Sequence, residues 1–302
     1  MPPWTAEQIL PPELARELID SQFPELAPCR IEPLGFGWDN TAFLVNGEFV
    51  FRFPRRQIAA DFLAHELRVL PSLAGRLPLP VPNPIFVGVP SERFSWPFGG
   101  YRHLAGRTAC SAGLTLAQRS AMAPALGQFL KALHQISAAE ARQFGAPPDL
   151  LGRLDPVRRI PQAQERLEEI ARLGLIPETK SYFRIIDDTA TARPSQAQAL
   201  VHGDLYVRHL LVDDDGRLSG IIDWGDVHGG DPALDLSIAF SFLPPDSRDQ
   251  FRNAYGPIDE ATWRLARFRA LIYGTYLVPY AHAEHDDNLL REALAILRNV
   301  AT

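Results

Sequence analysis

Hydrophobic and polar positions along this chain change period several times, and each change predicts a different kind of element. Near the start, "PPELARELIDSQFP" sets Leu14, Leu18 and Ile19 on one side between prolines, which predicts a helix. The period then drops to two. "RIEPLGFG", "TAFLVNGEFVFRF", "NPIFVGV" and "FGGYRHL" read as strands, with Asn46-Gly47 a two-residue hairpin signal. Among them lies "RQIAADFLAHELRVLPSLAG", whose Ile58, Phe62, Leu63, Leu67 and Leu70 recur at helical spacing and predict one amphipathic helix. The first hundred residues therefore read as antiparallel sheet with one long helix.

After "GYRHLAGRTA" the pattern becomes helical. "LTLAQRSAMAPALGQFLKALHQI" predicts a single helix with Leu126, Leu130 and Leu133 along one stripe. A stretch rich in charge and proline follows, from about Glu140 to Pro194, and includes the helical "QERLEEIARLG". Two short strands then flank the turn "DDDG", Asp213 to Gly216, and three or four helices finish the chain. The expectation is an α+β bilobal protein: a small antiparallel sheet lobe with one long helix, joined to a larger helical lobe. The expected bounds are 1–100 for the N-terminal lobe, 101–106 for a hinge and 107–302 for the C-terminal lobe. Ligands favour clefts between such lobes.

Length and charge narrow the function. At 302 residues the chain exceeds what one core usually serves. Its formal net charge of −6 argues against a general nucleic-acid binder, which needs a basic footprint. No run approaches the roughly 18 apolar residues of a membrane helix, and "MPPWTAEQIL" is not a secretory signal, so a cytoplasmic protein is expected. The two cysteines, Cys29 and Cys110, have neither metal-ligand nor redox spacing and read as free thiols.

The chemistry concentrates late in the chain. "VHGDLYVRHLLV" breaks an apolar run with His202, Asp204, Arg208 and His209, and "GIIDWGD" places Asp223 at the end of another. Buried charge is costly unless paired, so a metal ion, a salt bridge or a catalytic site is implied. Upstream, "LGFGWDNTAFLV" puts Gly35 and Gly37 at a strand-to-strand turn, where backbone amides can approach phosphates; an ordinary hairpin reads the same way. Arg52 alternates with Val50, Phe51 and Phe53 in a strand, and Glu66 lies on the long helix. The only lysines, Lys131 and Lys180, fall outside this lobe, so Arg52 is its available cation.

"HGDLYVRHLL" followed by "IIDWGD" resembles the catalytic and metal-binding segments of the aminoglycoside phosphotransferase family, and within it the macrolide enzymes most. These are antibiotic and small-molecule kinases with a protein-kinase-like fold. The resemblance implies that Asp204 orients the acceptor hydroxyl and takes its proton, and that Asp223 binds magnesium on the nucleotide phosphates. His209 stands where many members carry Asn; it implies either a metal ligand with more room for manganese, or a structural histidine that leaves the metal to Asp223 and water. His202 and Asp235 would brace the loop. Gly35, Gly37, Arg52 and Glu66 would hold the phosphates, and the backbone around Tyr101 to His103 would meet the purine of ATP or GTP. The catalytic loop would span about 200–226, with acceptor helices at about 140–194 and 245–302.

The acceptor itself is less defined. Asp226, Asp231, Glu284, Asp286 and Asp287 offer an acidic wall for a polyamine, although an acidic run also suits a helix start. Trp263, Tyr273, Tyr276 and Tyr280 offer an apolar pocket for a macrolide, or ordinary core. The expected activity is transfer of a γ-phosphoryl group to a hydroxyl of a small molecule of the aminoglycoside or macrolide type. A kinase of a choline-, homoserine- or sugar-type metabolite, or a nucleotide-binding pseudokinase, are the alternatives.

Overall fold

A computed structural model describes residues 5–189 and 198–302. The last part of the expected 140–194 acceptor segment, from 190 onward, lies outside the described residues.

The N-terminal lobe is built on β1 (Ile31–Phe36), β2 (Asn40–Val45), β3 (Phe49–Pro54), β4 (Pro84–Gly88) and β5 (Phe98–Arg102), in the order β1-β2-β3-β5-β4. All of its pairings are antiparallel. Period-two alternation along β3 sends Phe49, Phe51 and Phe53 to one face. There they meet Phe43, Phe86, Phe98 and the buried Ala15, Leu18 and Ile19 of helix α1 (Pro12–Gln22). Phe53 stacks on Phe98 at 4.6 Å and Phe51 on Phe86 at 5.6 Å between centroids. The same alternation leaves Arg52 on the opposite face, toward helix α2 (Gln57–Val69).

Two sequence expectations shift in detail. Asn46 and Gly47 both take the left-handed conformation, at φ 54 and 71, but pairing resumes with Val45 opposite Phe49. The hairpin loop is thus one residue longer than the Asn-Gly signal predicts. The long helix also ends earlier: after Val69 the turn Leu70–Leu73, which contains Pro71, tightens to 3₁₀ geometry. Ile58, counted on its apolar face, is exposed.

The C-terminal lobe begins with β6 (Arg107–Thr108), α3 (Leu116–Ala121), α4 (Ala123–His134) and α5 (Ala138–Gln143). The single helix predicted over 114–136 is therefore two. A Thr115–Gln118 capping box starts α3, and α4 starts anew with Pro124 in its first turn. Next come α6 (Pro156–Arg172) and α7 (Lys180–Thr189), then β7 (Ala199–Val201), β8 (Leu210–Val212), β9 (Leu218–Ile221) and β10 (His228–Gly230). The chain closes with α8 (Ala233–Leu236), α9 (Ile238–Ser241), α10 (Arg248–Tyr255), α11 (Glu260–Ala283) and α12 (Asp287–Ala301). Asp155, Asp259 and Asp286 cap α6, α11 and α12 by accepting backbone N–H bonds.

Two apolar clusters organise these elements. One seals the outer face of the N-terminal sheet beneath α1. The other runs continuously from Leu63 and Leu67 of α2 through the helical lobe. The long helix is thereby packed against both halves, and Glu66 on it is carried into the space between them. Strands β8 and β9 are antiparallel with Leu210 opposite Ile221, so the loop before β8 and the loop after β9 lie at the same end of the small sheet. No helix among the described residues is long and apolar enough to cross a membrane.

Candidate active site

The loop between β7 and β8 holds His202, Gly203, Asp204 and His209. Gly203 sits at φ +83, and a Cβ there would lie 2.4 Å from the Asp226 carbonyl oxygen and 2.8 Å from the His228 ring. Only glycine fits both the conformation and the space. The loop is anchored by Asp235, fully buried on α8. Its carboxylate accepts from the His202 amide at 2.7 Å and the Gly203 amide at 2.9 Å, and meets His134 Nε2 at 3.1 Å. Burial alone would raise the Asp235 carboxyl; the His134 hydrogen bond and charge, with His202 and the Gly203 amide, hold it below the usual range. His202 Nε2 donates to the Ile222 carbonyl at 3.0 Å, and its Nδ1 accepts from the Asp204 amide at 3.3 Å. Burial keeps this imidazole neutral, below the ordinary histidine value.

His209 joins the two carboxylates that stand out in the sequence. Its Nδ1 lies 2.7 Å from the Asp204 backbone carbonyl and 3.8 Å from Asp204 Oδ2, and its Nε2 lies 3.2 Å from Asp223 Oδ2. Asp223 follows β9 at φ +65, a left-handed conformation that aspartate tolerates better than most residues. Burial and the charge of Asp226 push the Asp204 carboxyl up to about 7, against the pull of His209 and Arg269. A base in that range is matched to neutral pH. Asp223 is the opposite case: burial would raise it, but Arg52 and His209 hold it well below the usual carboxylate range.

The other half of the site arrives from the sheet lobe. Arg52 Nη1 donates to both Glu66 oxygens, at 2.9 and 2.7 Å, and its Nη2 bonds Asp223 Oδ1 across the lobes. Tyr101 donates its hydroxyl to Glu66 Oε1 at 2.5 Å. Gly35 (φ +125) and Gly37 bracket the β1–β2 turn, and a Cβ at either would meet nothing within 4 Å, so their backbone faces open space.

The hinge meets the sheet lobe through its backbone. Val50 pairs with Tyr101, and the His103 amide donates to the Glu48 carbonyl at 2.8 Å. The His103 amide is therefore taken up by the sheet lobe, and the other edge of β5 is paired by β4, with Pro84 opposite Tyr101.

The model of a family described as phosphotransferase enzymes, APH, matches residues 30–271. The chain belongs to this family. Among solved structures, the GDP complex of an aminoglycoside 2′-phosphotransferase-IIIa superposes with a TM-score of 0.70, at 27% identity, over 94% of this chain and 96% of that one. A macrolide 2′-phosphotransferase type I gives 0.60 at 20% identity, over 95% and 98% of the two chains, a likeness of fold. Viomycin phosphotransferase of Streptomyces vinaceus is 32% identical over 110 residues, 34% of this chain and 37% of that relative. A 38-residue match at 46% identity covers 12% of the uncharacterized protein YcbJ of Bacillus subtilis. These curated matches thus span well under two thirds of either relative. The kinase-like bilobal fold expected from the sequence is the fold of this family.

The donor set fits a divalent ion of modest protein ligation. The Asp204 carbonyl 2.7 Å from Nδ1 fixes a proton there, so the lone pair of a neutral His209 is on Nε2, facing Asp223. Asp223 Oδ2 and His209 Nε2 would hold the ion. Among the described residues no group of three or more His, Cys, Asp or Glu side chains is arranged as a metal site. The remaining ligands would come from phosphate and water, as is usual for magnesium.

Several contacts at this site go beyond what the sequence offers, where Tyr273 reads only as pocket or core. Tyr273, on α11, donates to Asp204 Oδ1 at 3.1 Å. Arg153 bridges Asp149, at 2.8 Å, and Asp226. Asp39, in the glycine turn, pairs with Arg56, and its carboxyl is raised by burial with Asp226 and Asp223 adding to the effect. Its neighbour Trp38 meets Tyr280 of α11 edge-on at 4.8 Å. The one sequence signal for the last pair was "GWDN", a large aromatic and an acid in an otherwise glycine-bearing turn. Of the acidic residues offered for a polyamine wall, Asp231 is buried and caps α8 through the Ala233 amide at 2.9 Å, and Asp286 caps α12 and pairs with Arg208. Trp263 packs on Phe240 and Phe251, away from Asp204.

Proposed function

We propose that this chain transfers the γ-phosphoryl group of a purine nucleoside triphosphate to a hydroxyl of a small-molecule antibiotic of the aminoglycoside or macrolide type. The observation that carries the reading is the single imidazole of His209 set between Asp204 and Asp223, with Arg52 and Glu66 abutting Asp223 from the other lobe. Phosphoryl transfer needs position and charge rather than covalent chemistry from the protein. In this reading Asp204 orients the acceptor oxygen and receives its proton. Glu66 holds the Arg52 fork toward the phosphates, and the amides of Gly35 and Gly37 cover them. Magnesium or manganese, held by Asp223 and His209, would neutralise charge on the phosphate oxygens. His202 and Asp235 hold the loop in register, and the backbone around Tyr101 to His103 meets the base.

The GDP complex of the 27%-identical relative favours testing GTP beside ATP. The experiment is a phosphorylation screen over aminoglycosides, macrolides and small amino alcohols, sugars and homoserine, with either nucleotide. Transfer to an antibiotic hydroxyl, abolished by Asp204→Ala with nucleotide binding retained, is the expected result. Transfer confined to a metabolite, or undiminished in the variant, overturns the reading.

A further inference from the structure

The acceptor side of Asp204 is one face of α11 opposed by one face of α6. Along α11, Arg269, Tyr273, Tyr276 and Tyr280 are spaced by four, three and four residues, which places them on a single stripe. Tyr273 reaches Asp204, Tyr276 reaches α6 and Tyr280 reaches Trp38. On α6, Arg159, Gln162 and Arg166 share a face by the same spacing and turn toward Tyr276.

The charge on this wall is unusual. Arg159 donates to the Tyr276 hydroxyl and to Gln162 at 3.1 Å each, and to the Leu151 and Gly152 carbonyls at 2.7 and 3.0 Å. The Arg166 guanidinium lies 3.6 Å over the Tyr276 ring, and that of Arg269 lies 4.2 Å over Tyr273 with one bond to the Gly203 carbonyl at 3.3 Å. None of these hydrogen bonds reaches a carboxylate. Arg269 is 8% exposed, and its Nε has no hydrogen-bond partner among the described residues. Burial and the neighbouring charges of Arg269 and Arg158 lower Arg159, with the Tyr276 oxygen opposing. Of the carboxylates near the cleft, Asp226 and Asp149 share Arg153, Asp286 pairs with Arg208 and Asp39 with Arg56.

We infer that this arginine and tyrosine wall binds an oxygen-rich acceptor carrying at most one cationic centre, and discriminates against polycationic acceptors. Ether, carbonyl, hydroxyl or carboxylate oxygens would accept from the guanidinium edges while the tyrosine rings cover apolar carbon. A polyamine would bring like charge against Arg159, Arg166 and Arg269, whose hydrogen bonds above all go to neutral oxygens. The inference rests on the phosphotransferase reading of Asp204 and narrows its acceptor.

The test compares two probes on the full chain at low ionic strength: kanamycin as the polycation, and a macrolide with one amino sugar as the oxygen-rich acceptor. Affinity is measured by calorimetry and transfer by product formation. The macrolide is expected to bind at least tenfold more tightly. Arg166→Glu, on the half-exposed side of α6, should shift the ratio about tenfold toward kanamycin, in a manner that salt suppresses. Arg93→Glu, on the far side of the sheet lobe, should leave it unchanged. Equal or tighter kanamycin binding, no macrolide binding, or a ratio untouched by Arg166→Glu overturns the inference. Should the binding ratio hold while neither probe accepts phosphate, the charge assignment stands and the functional reading fails.

Discussion

Substituting Glu66 by Gln separates charge from shape at the junction of the two lobes. Gln keeps the volume and one acceptor oxygen, but removes the negative charge that receives both bonds of Arg52 Nη1 and the Tyr101 hydroxyl. Glu66 is fully buried and the Arg52 side chain is 14% exposed, so solvent cannot compensate. Removing one partner of such a pair costs about 3–5 kcal/mol. The lower end applies because Asp223 remains as a second counter-ion. An unfolding entropy of about 2.1 cal/mol/K per residue makes about 0.6 kcal/mol per degree for a chain of this length, so Tm should fall by about 5 °C. Arg52, now balanced by Asp223 alone, should present its fork less readily, and the nucleotide KM should rise about tenfold. Differential scanning calorimetry and nucleotide titration of both proteins read the two effects. A Tm within one degree of the parent, together with an unchanged KM, would refute the reasoning.

Three further outcomes follow from the same geometry. Tyr273→Phe removes the hydroxyl bond to Asp204 and should lower kcat about tenfold with nucleotide KM unchanged; a proportionate change in both would mean a merely structural role. Burial and the charge of Arg153 hold His228 below the ordinary histidine value, so the unfolded chain takes up a proton near pH ~6.5 that the folded chain refuses. Stability should therefore be full above that pH and fall as pH drops through it, and urea midpoints at pH 7.5 and 5.5 should differ less in His228→Gln than in the parent. Burial and Asp20 push the Cys29 thiol up to about 12, so alkylation at pH 8, followed by mass spectrometry, should label it only after unfolding.

Much of the N-terminal lobe was legible because its signals are local. The alternation of "FVFRFP" alone separates an aromatic face from Arg52, and the helical spacing of "DFLAHELRVL" alone places Glu66 beside Leu63 and Leu67. The juxtaposed Asp204 and Asp223 were legible for another reason: a carboxylate within or just after an apolar strand demands a partner. What stayed hidden depends on register or on distance along the chain. A strand pattern says which side chains alternate, but not that the His103 amide faces Glu48. Pro124 divides α3 from α4 although the leucine stripe runs on. Tyr273 meets Asp204 from 69 residues away, inside a helix buried nearly all round, where apolar periodicity distinguishes no face. Acidic residues counted as an acceptor wall turned out to be helix caps and ion-pair partners, which composition does not reveal.

The account stands on Asp204 receiving the acceptor proton beside a phosphate-binding Asp223. Asp204→Asn keeps the shape and the Tyr273 contact but cannot act as a base. With whichever acceptor the screen identifies, single-turnover transfer should slow by about 10²–10⁴, while nucleotide affinity stays within twofold of the parent. Transfer at the parent rate, or loss of nucleotide binding in step with it, would contradict the assignment.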